Sequence, residues 1–395
     1  MKIFNQRDQI LIMPKISFVL LSVVLFSQSF SLHAAPPTAP SSSQALSQTM
    51  TQIGELMVEL YPLVVARREL ANSEKQQIRQ DLGRLVQLFH LAQPHIKRRS
   101  DTYQVSYEFV LDYLNTTTRA LDAGNFDFAR GRLYGLGSIC ASCHTQDTKL
   151  RTLFSGTTRN NFPDDFSFAE FNYVTRNYDT AIRYYDKHLR SQQAKTELEI
   201  VQPLQRLITI YTQIYNKPGE GARKLEQYLD LENHTPLTKK HLTEWIAGLK
   251  ELDARGASKV KSVDFKTLQK YVGQYLGPLD EPPAEIFLTP KEEISRVWLR
   301  GLLYHYLNGQ PAENEIPKIL YWLSICDRSI GYDFYFSLAD LYLKECILKH
   351  SDHPYARRCL DEYQEYITFS YSGSSGTFIP PEVQQELEKL RKAVK

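Results

Sequence analysis

Two cysteines and a histidine stand together at Cys140-Ala141-Ser142-Cys143-His144, in a chain that holds only five cysteines and ten histidines. On a helix, positions i, i+3 and i+4 share a face, so Cys140, Cys143 and His144 point one way together. Two thiols at that separation reach the two vinyl groups along one edge of a haem and form thioethers. The adjacent imidazole is then directed beneath the iron. The spacing C-x-x-C-H is thus the pattern of c-type attachment, which implies one covalent haem c. Rival chemistries fit less well. A structural zinc site wants a second ligand pair, and the remaining Cys326, Cys346 and Cys359 are widely spaced. A thioredoxin-like pair opens a helix after a strand, whereas this pair closes a helix. A plain disulfide is the bland alternative, and a loop this tight gives a large chain little stability.

Helices must bring the motif into position. Ser43 or a neighbour caps a helix expected over about Gln44 to Ala66, with Leu46, Met50, Ile53, Met57, Leu60 and Val64 on one stripe. Asn72 or Ser73 opens a second helix to about Ala92, and Pro94 ends it. Asp101 opens a third, carrying Val105, Phe109, Tyr113 and Leu114 towards Leu121. Ala123-Gly124-Asn125 makes a turn, and a fourth helix runs from Phe126 through Leu133, Leu136 and Ile139 into the cysteines. Four amphipathic helices of similar length with short connections predict an antiparallel four-helix bundle over 44–150.

The run "ALDAGNFDFARGRLYGLGSICASCH", Ala120 to His144, resembles the end of the cytochrome c-prime family. That family has a similar Ala/Gly/Asn turn, then a last helix with a glycine a few residues ahead of C-x-x-C-H. The likeness extends over roughly Gln44 to Lys149, and its specific part is the stretch just quoted. It implies a four-helix bundle with Cys140 and Cys143 as the covalent attachments and His144 as the proximal iron ligand. The family commonly carries a basic residue soon after the histidine. Here Thr145 to Thr148 intervene before Lys149, so that feature is shifted or lost.

The opposite side of the iron decides between functions. In high-spin members an apolar residue of the first helix shields an empty sixth position, and the site binds small gases. In low-spin relatives a methionine there ligates the iron, and the protein carries electrons. Registering the first helix on Pro62 puts Met50 at that distal position. Met57 lies two turns on, about 10 Å along the axis, so both cannot be ligands. A core methionine filling space is the plain reading of each. His90 and His95 end the second helix; one reaches the haem edge in some arrangements, though surface histidines are the simpler account.

The second half, 166–395, reads as a helical-repeat domain beyond a polar linker at 151–165. Phe168 to Leu189 resembles a tetratricopeptide repeat: Phe168-Ala169 stand for its Leu-Gly pair, and Tyr178, Ala181, Tyr185 and Leu189 match later positions. Asn172 departs from the pattern at its first tyrosine position. Leu338-Ala339, Tyr342, Ala356, Leu360 and Tyr363 give another match, interrupted around His350 to Pro354. Such pairs stack into a curved array whose concave surface binds another protein. The alternative is a helical appendage that only caps the haem domain. The 24 tyrosines suit either a binding groove or the packing positions of the repeat. His188, His234, His241, His305, His350 and His353 show no metal-ligand spacing, and no nucleophile-base pair stands out, so no enzyme is expected. Cys346 and Cys359 fall near facing ends of a helix hairpin, where a disulfide fits and Cys326 is left over.

Residues 1–35 read as a secretory signal: Lys2, Arg7 and Lys15, an apolar run from Ile16 to Phe26, then small residues at Ala34-Ala35. That run is short for a span of ~20 residues, so a membrane link arises only if the segment stays uncleaved. With no cysteine at the cleavage site, a lipoprotein anchor is not expected. A net charge of +2 excludes nucleic acid as the obvious partner. The expectation is therefore an all-α, periplasmic c-type cytochrome that transfers electrons, docking a redox partner protein through its repeats. Gas binding or sensing (NO or CO) at a five-coordinate haem is the alternative. A scaffold with a merely structural haem is the third.

Overall fold

The computed structural model describes residues 42–65, 69–96, 101–144, 157–191, 195–231, 234–278, 288–309, 311–330, 334, 337–374 and 376–394. Among them stand fifteen α-helices and one hairpin of two-residue strands, Ser372–Gly373 with Gly376–Thr377. The fold is all-α. The signal segment expected at 1–35 lies outside the described residues, and no described helix is long and apolar enough to cross a membrane.

Helix α1 (Ser42–Val64) buries Leu46, Ile53, Leu56, Met57, Leu60, Tyr61 and Val64, the three-and-four spacing of a helix with one wet face. Helix α2 (Asn72–Ile96) runs about one turn past Ala92, its expected end, and two residues past Pro94. A proline in the last turn removes a single backbone bond where helices already fray. Helix α3 (Asp101–Asp122) turns at Ala123-Gly124-Asn125 into α4 (Phe126–His144). Gly124 takes a φ of +78°, left-handed backbone that a side chain would strain. Each of these helices packs on the next, and α4 returns against α1. Leu56, Leu60, Ile78, Leu85, Leu114 and Ile139 fill the space between them. Three long-range bonds tie the ends: Arg79 Nη2 to Leu121 O at 2.9 Å, Arg130 Nε to Val64 O at 2.9 Å, and Tyr113 Oη to Arg132 O at 2.7 Å.

Beyond, the order is α5 (Asp165–Val174), α6 (Tyr178–Arg190), α7 (Glu197–Thr209), α8 (Pro218–Glu226), α9 (Pro236–Ala254), α10 (Phe265–Tyr275), α11 (Pro290–Asn308), α12 (Ile316–Ile330), α13 (Ala339–Lys349), α14 (Pro354–Ser370) and α15 (Pro381–Ala393). Neighbours in the chain pack as pairs: α5 on α6, α8 on α9, and α11 through α14 each on the next. The last turn of α7 widens into a π segment, Ile210–Ile214. Ser41–Lys395 forms one compact unit, with α4 against α5 and α3 against α13. Phe162, Phe168 and Phe171 complete the core of α1–α4. The end of the expected linker is therefore packed chain: Thr158 to Phe162 makes a 3₁₀ turn, and Asp164 caps α5 by accepting from Ser167 N at 2.7 Å. Residues 151–156 lie outside the described residues.

Tyrosine is core material in this half. Tyr173, Tyr178, Tyr185, Tyr228, Tyr342 and Tyr363 are all buried, which favours packing over a tyrosine-lined groove. Charges are buried with them. Glu170 accepts from Tyr185 Oη at 2.5 Å and Gln202 Nε2 at 2.7 Å, and pairs with Arg206 at 3.4 Å. Arg300 Nε meets Asp327 Oδ1 at 2.5 Å, both about wholly buried, and Leu338 N donates to Asp327 Oδ2 at 2.8 Å. Removing one member of such a pair strands the other charge in a dry interior. R300M is expected to lower stability by about 3–5 kcal/mol. Urea unfolding checks it, and a loss under about 1 kcal/mol, the value of a surface pair, sinks the account.

Cys346 and Cys359 are joined as a disulfide, and Cys326 is a buried thiol. Denatured without reductant, this half should titrate as a single thiol; three thiols would reject the pairing. Reduction is expected to cost roughly 3 kcal/mol, from the entropy of a short loop.

Candidate functional site

The chemistry-bearing motif closes α4. Leu133, Leu136 and Ile139 hold the helix in the core through its last full turns, and Cys140, Cys143 and His144 occupy the turn that follows, still helical. Their backbone positions, three and four apart, put them on one face. Two glycines let neighbours approach this stretch closely. A Cβ on Gly137 would stand 3.0 Å from Val174 Cγ2 and 3.3 Å from Tyr61 Cε2, and one on Gly135 would stand 2.7 Å from Tyr113 Oη. The side chains of the motif, and Thr145 to Lys149 after it, lie outside what the structure describes.

Register decides which residues share this end. Arg130 on Val64, together with the Tyr61–Tyr134 ring pair at 6.4 Å, sets α4 antiparallel to α1. Counted from those ties at equal rise per residue, Met50 comes level with His144, while Met57 falls level with the turn before Cys140. Met50 is half-buried against the core, and Met57 is 6% exposed within it. On the other flank, counting the same way from the Tyr113–Arg132 bond brings Tyr107 of α3 level with Ser138, two residues before Cys140. Phe89 of α2 packs on Tyr107 with ring centroids 6.5 Å apart. The end of α4 thus meets the first turns of α1 and α3 and the last turns of α2.

Leu46, Ile53, Phe89, Ala92 and Ile139 are buried at this end. Two polar atoms buried among such residues have no hydrogen-bond partner, Tyr107 Oη and His95 Nδ1. His90, by contrast, is exposed. A buried polar atom without a protein partner is open to water or to a bound group. An apolar end with two unsatisfied polar atoms and a thiol-thiol-imidazole face suits a flat, mostly apolar, partly anionic group. Haem has that chemistry, so the residues present fit it. Sequence reasoning put Phe109 on the inward stripe of α3 and passed over Tyr107. In the fold Tyr107, Val110, Tyr113 and Leu114 are buried and Phe109 is half-buried. The i, i+3, i+7 spacing of Tyr107, Val110 and Leu114 was the signal available.

The described residues of the second half offer no comparable cluster. Among the described residues no group of three or more His, Cys, Asp or Glu is placed to hold a metal ion. His188 binds Glu199 O at 2.8 Å, and burial lowers its pKa. His353 caps α14, its Nδ1 accepting from Tyr355 N at 3.1 Å. Burial pushes the Cys326 thiol up to about 12, so it is not a nucleophile at neutral pH.

No protein-family model, curated protein or solved structure matches the chain.

Proposed function

We propose that the chain is an exported, periplasmic c-type cytochrome whose α1–α4 form a cytochrome c-prime-like bundle with one covalent haem c. Its work in this reading is electron transfer without catalysis of its own. The observation that supports it is the C-x-x-C-H motif on the last turn of a helix whose flanking helices leave buried polar atoms unpartnered towards the same end of the bundle. Cys140 and Cys143 hold the haem covalently, and His144 is its proximal ligand. When bound, haem c supplies a one-electron ferric/ferrous couple. The chain's part is to hold that couple in an apolar end of the bundle, exclude water with Leu46, Ile53 and Phe89, and set the sixth position with α1. Met50 is the distal candidate, since it stands level with His144 and Met57 does not.

The helices from α5 onward serve, in the same reading, as a tetratricopeptide-like scaffold for a redox partner protein. Their pairwise packing supports it, with Ala169, Tyr178, Ala181, Tyr185 and Leu189 of α5–α6 all buried. Because α5 also completes the core of α1–α4, a partner docked on the scaffold is carried on the same compact unit as the haem.

Gas binding is kept as a second reading because Met50 packs against the apolar core, which is how a space-filling residue over an empty iron position also behaves. The absorption spectrum of the reduced protein, made with a haem c maturation system and taken before and after carbon monoxide, separates the readings. A sharp low-spin spectrum unmoved by the gas is expected. A high-spin spectrum that shifts selects gas binding, and the absence of haem bands rejects both.

A further inference from the structure

Tyr107 is the buried group that the proposed site does not use. It stands on α3 at 6% exposure, within one helical turn of the motif along the axis, and its hydroxyl has no hydrogen-bond partner. Its nearest aromatic neighbour, Phe89, offers no acceptor at its ring edge. His95 Nδ1 is also unpartnered, so the two do not satisfy each other. Two turns further along α3, Tyr113 shows what a satisfied buried tyrosine looks like here: its hydroxyl donates to Arg132 O at 2.7 Å. A phenylalanine at 107 would fill the same space without burying an unsatisfied hydroxyl.

We propose that Tyr107 Oη donates a hydrogen bond to an oxygen acceptor of the bound haem group: a propionate carboxylate or, where the sixth position is open to a gas, the outer atom of the gas on the iron. This rests on the haem reading above and adds to it a positioning and tuning residue on α3 that the motif does not contain. Burial, then the neighbouring Glu108 carboxylate, raises the Tyr107 pKa above its ordinary 10.0. The hydroxyl therefore keeps its proton at neutral pH and acts as a donor. Donation to a propionate withdraws negative charge from the iron's surroundings and so favours the ferrous state. Donation to an iron ligand would instead change that ligand's vibration and leave the propionates alone.

The test compares the holoprotein with Y107F and, as control, Y113F. Three quantities are read: covalent haem per chain, the ferric/ferrous equilibrium by redox titration, and resonance Raman bands with and without carbon monoxide. Y107F is expected to keep its covalent haem and to move the equilibrium about tenfold towards ferric, the scale of one hydrogen bond to a charged group. Y113F should match the wild type. A moved propionate bending band assigns the carboxylate as acceptor, and a moved iron-carbonyl band assigns the iron ligand. An equilibrium within twofold of wild type with both bands unmoved overturns the proposal. If Y107F fails to retain haem, the wild type in deuterated water decides: the acceptor's band shifts on exchange if the hydroxyl donates to it, and an unshifted spectrum overturns the idea. A wild type that takes up no covalent haem refutes the haem reading itself, and this proposal with it.

Discussion

Replacing Cys140 and Cys143 together with alanine should abolish covalent haem. Wild-type chain, matured for haem c, is expected to keep its haem through acid-organic extraction and on a denaturing gel, whereas the double variant should lose all of it. Each single variant should retain one thioether and a visible but weaker haem stain. The reason is geometric: positions three apart on the last turn of α4 share one face of the helix, and each thioether needs its own cysteine. H144A tests another role. It should keep the covalent link and lose the axial nitrogen, so that its spectrum changes while its stain does not. The axial and packing contacts of the haem are made only in the folded chain and so favour it, and the double variant should therefore also unfold at lower temperature. A double variant staining like wild type would remove C-x-x-C-H from the account, and a wild type that never stains would leave Cys140 and Cys143 as a simple disulfide.

The legibility of α1–α4 in the sequence has a physical cause. Their stripes are dense, Ser, Asn and Asp stand at or beside the starts of α1 to α3, and Gly124 breaks the chain before α4, so every start fell within about a residue or two of its expected place. Helix α10 shows the opposite case. Gly277-Pro278 and Pro282-Pro283 give the interval from Ser258 to Leu288 the punctuation of loose chain. Yet Asp264 accepts from Thr267 N at 2.7 Å as a proper cap, and Leu268 and Val272 are buried. Local cap chemistry was outvoted by punctuation that begins only after the helix has ended. The contact of α5 with the bundle was not legible at all. Phe162, Phe168 and Phe171 look like any aromatic-rich repeat, and only the fold shows that they close the core of α1–α4. Register explains the site in the same way. The motif announces its chemistry by spacing alone, but Tyr107 is tied to it through three helices, and no local pattern carries that distance. Cys346 and Cys359 lay between these cases, since a helix hairpin brings nearby residues together by short-range geometry.

M50A is expected to convert the reduced protein from a low-spin form indifferent to carbon monoxide into a high-spin form that binds it. The antiparallel register of α1 on α4 puts Met50 level with His144, as proximal and distal ligands of one iron require, and puts Met57 about 10 Å away along the axis. Thioether ligation favours ferrous iron, so the same variant should lower the reduction potential by on the order of 100 mV, within the range over which axial ligands act. M57L provides the contrast. Met57 is buried among Leu56, Leu60 and other core residues, and a methionine-to-leucine exchange there should cost less than about 1.5 kcal/mol and leave the spectrum alone. The informative comparison is M50L, which keeps the apolar volume and removes only the sulfur. If M50L resembles M50A, the sulfur is the ligand and electron transfer is the function to pursue. If wild type and M50L both bind carbon monoxide while M50A binds it faster, Met50 is packing over an open iron position. The repeats would then be the output arm of a gas-binding protein, because α3 and α4 of the bundle pack directly on α13 and α5 of the second half.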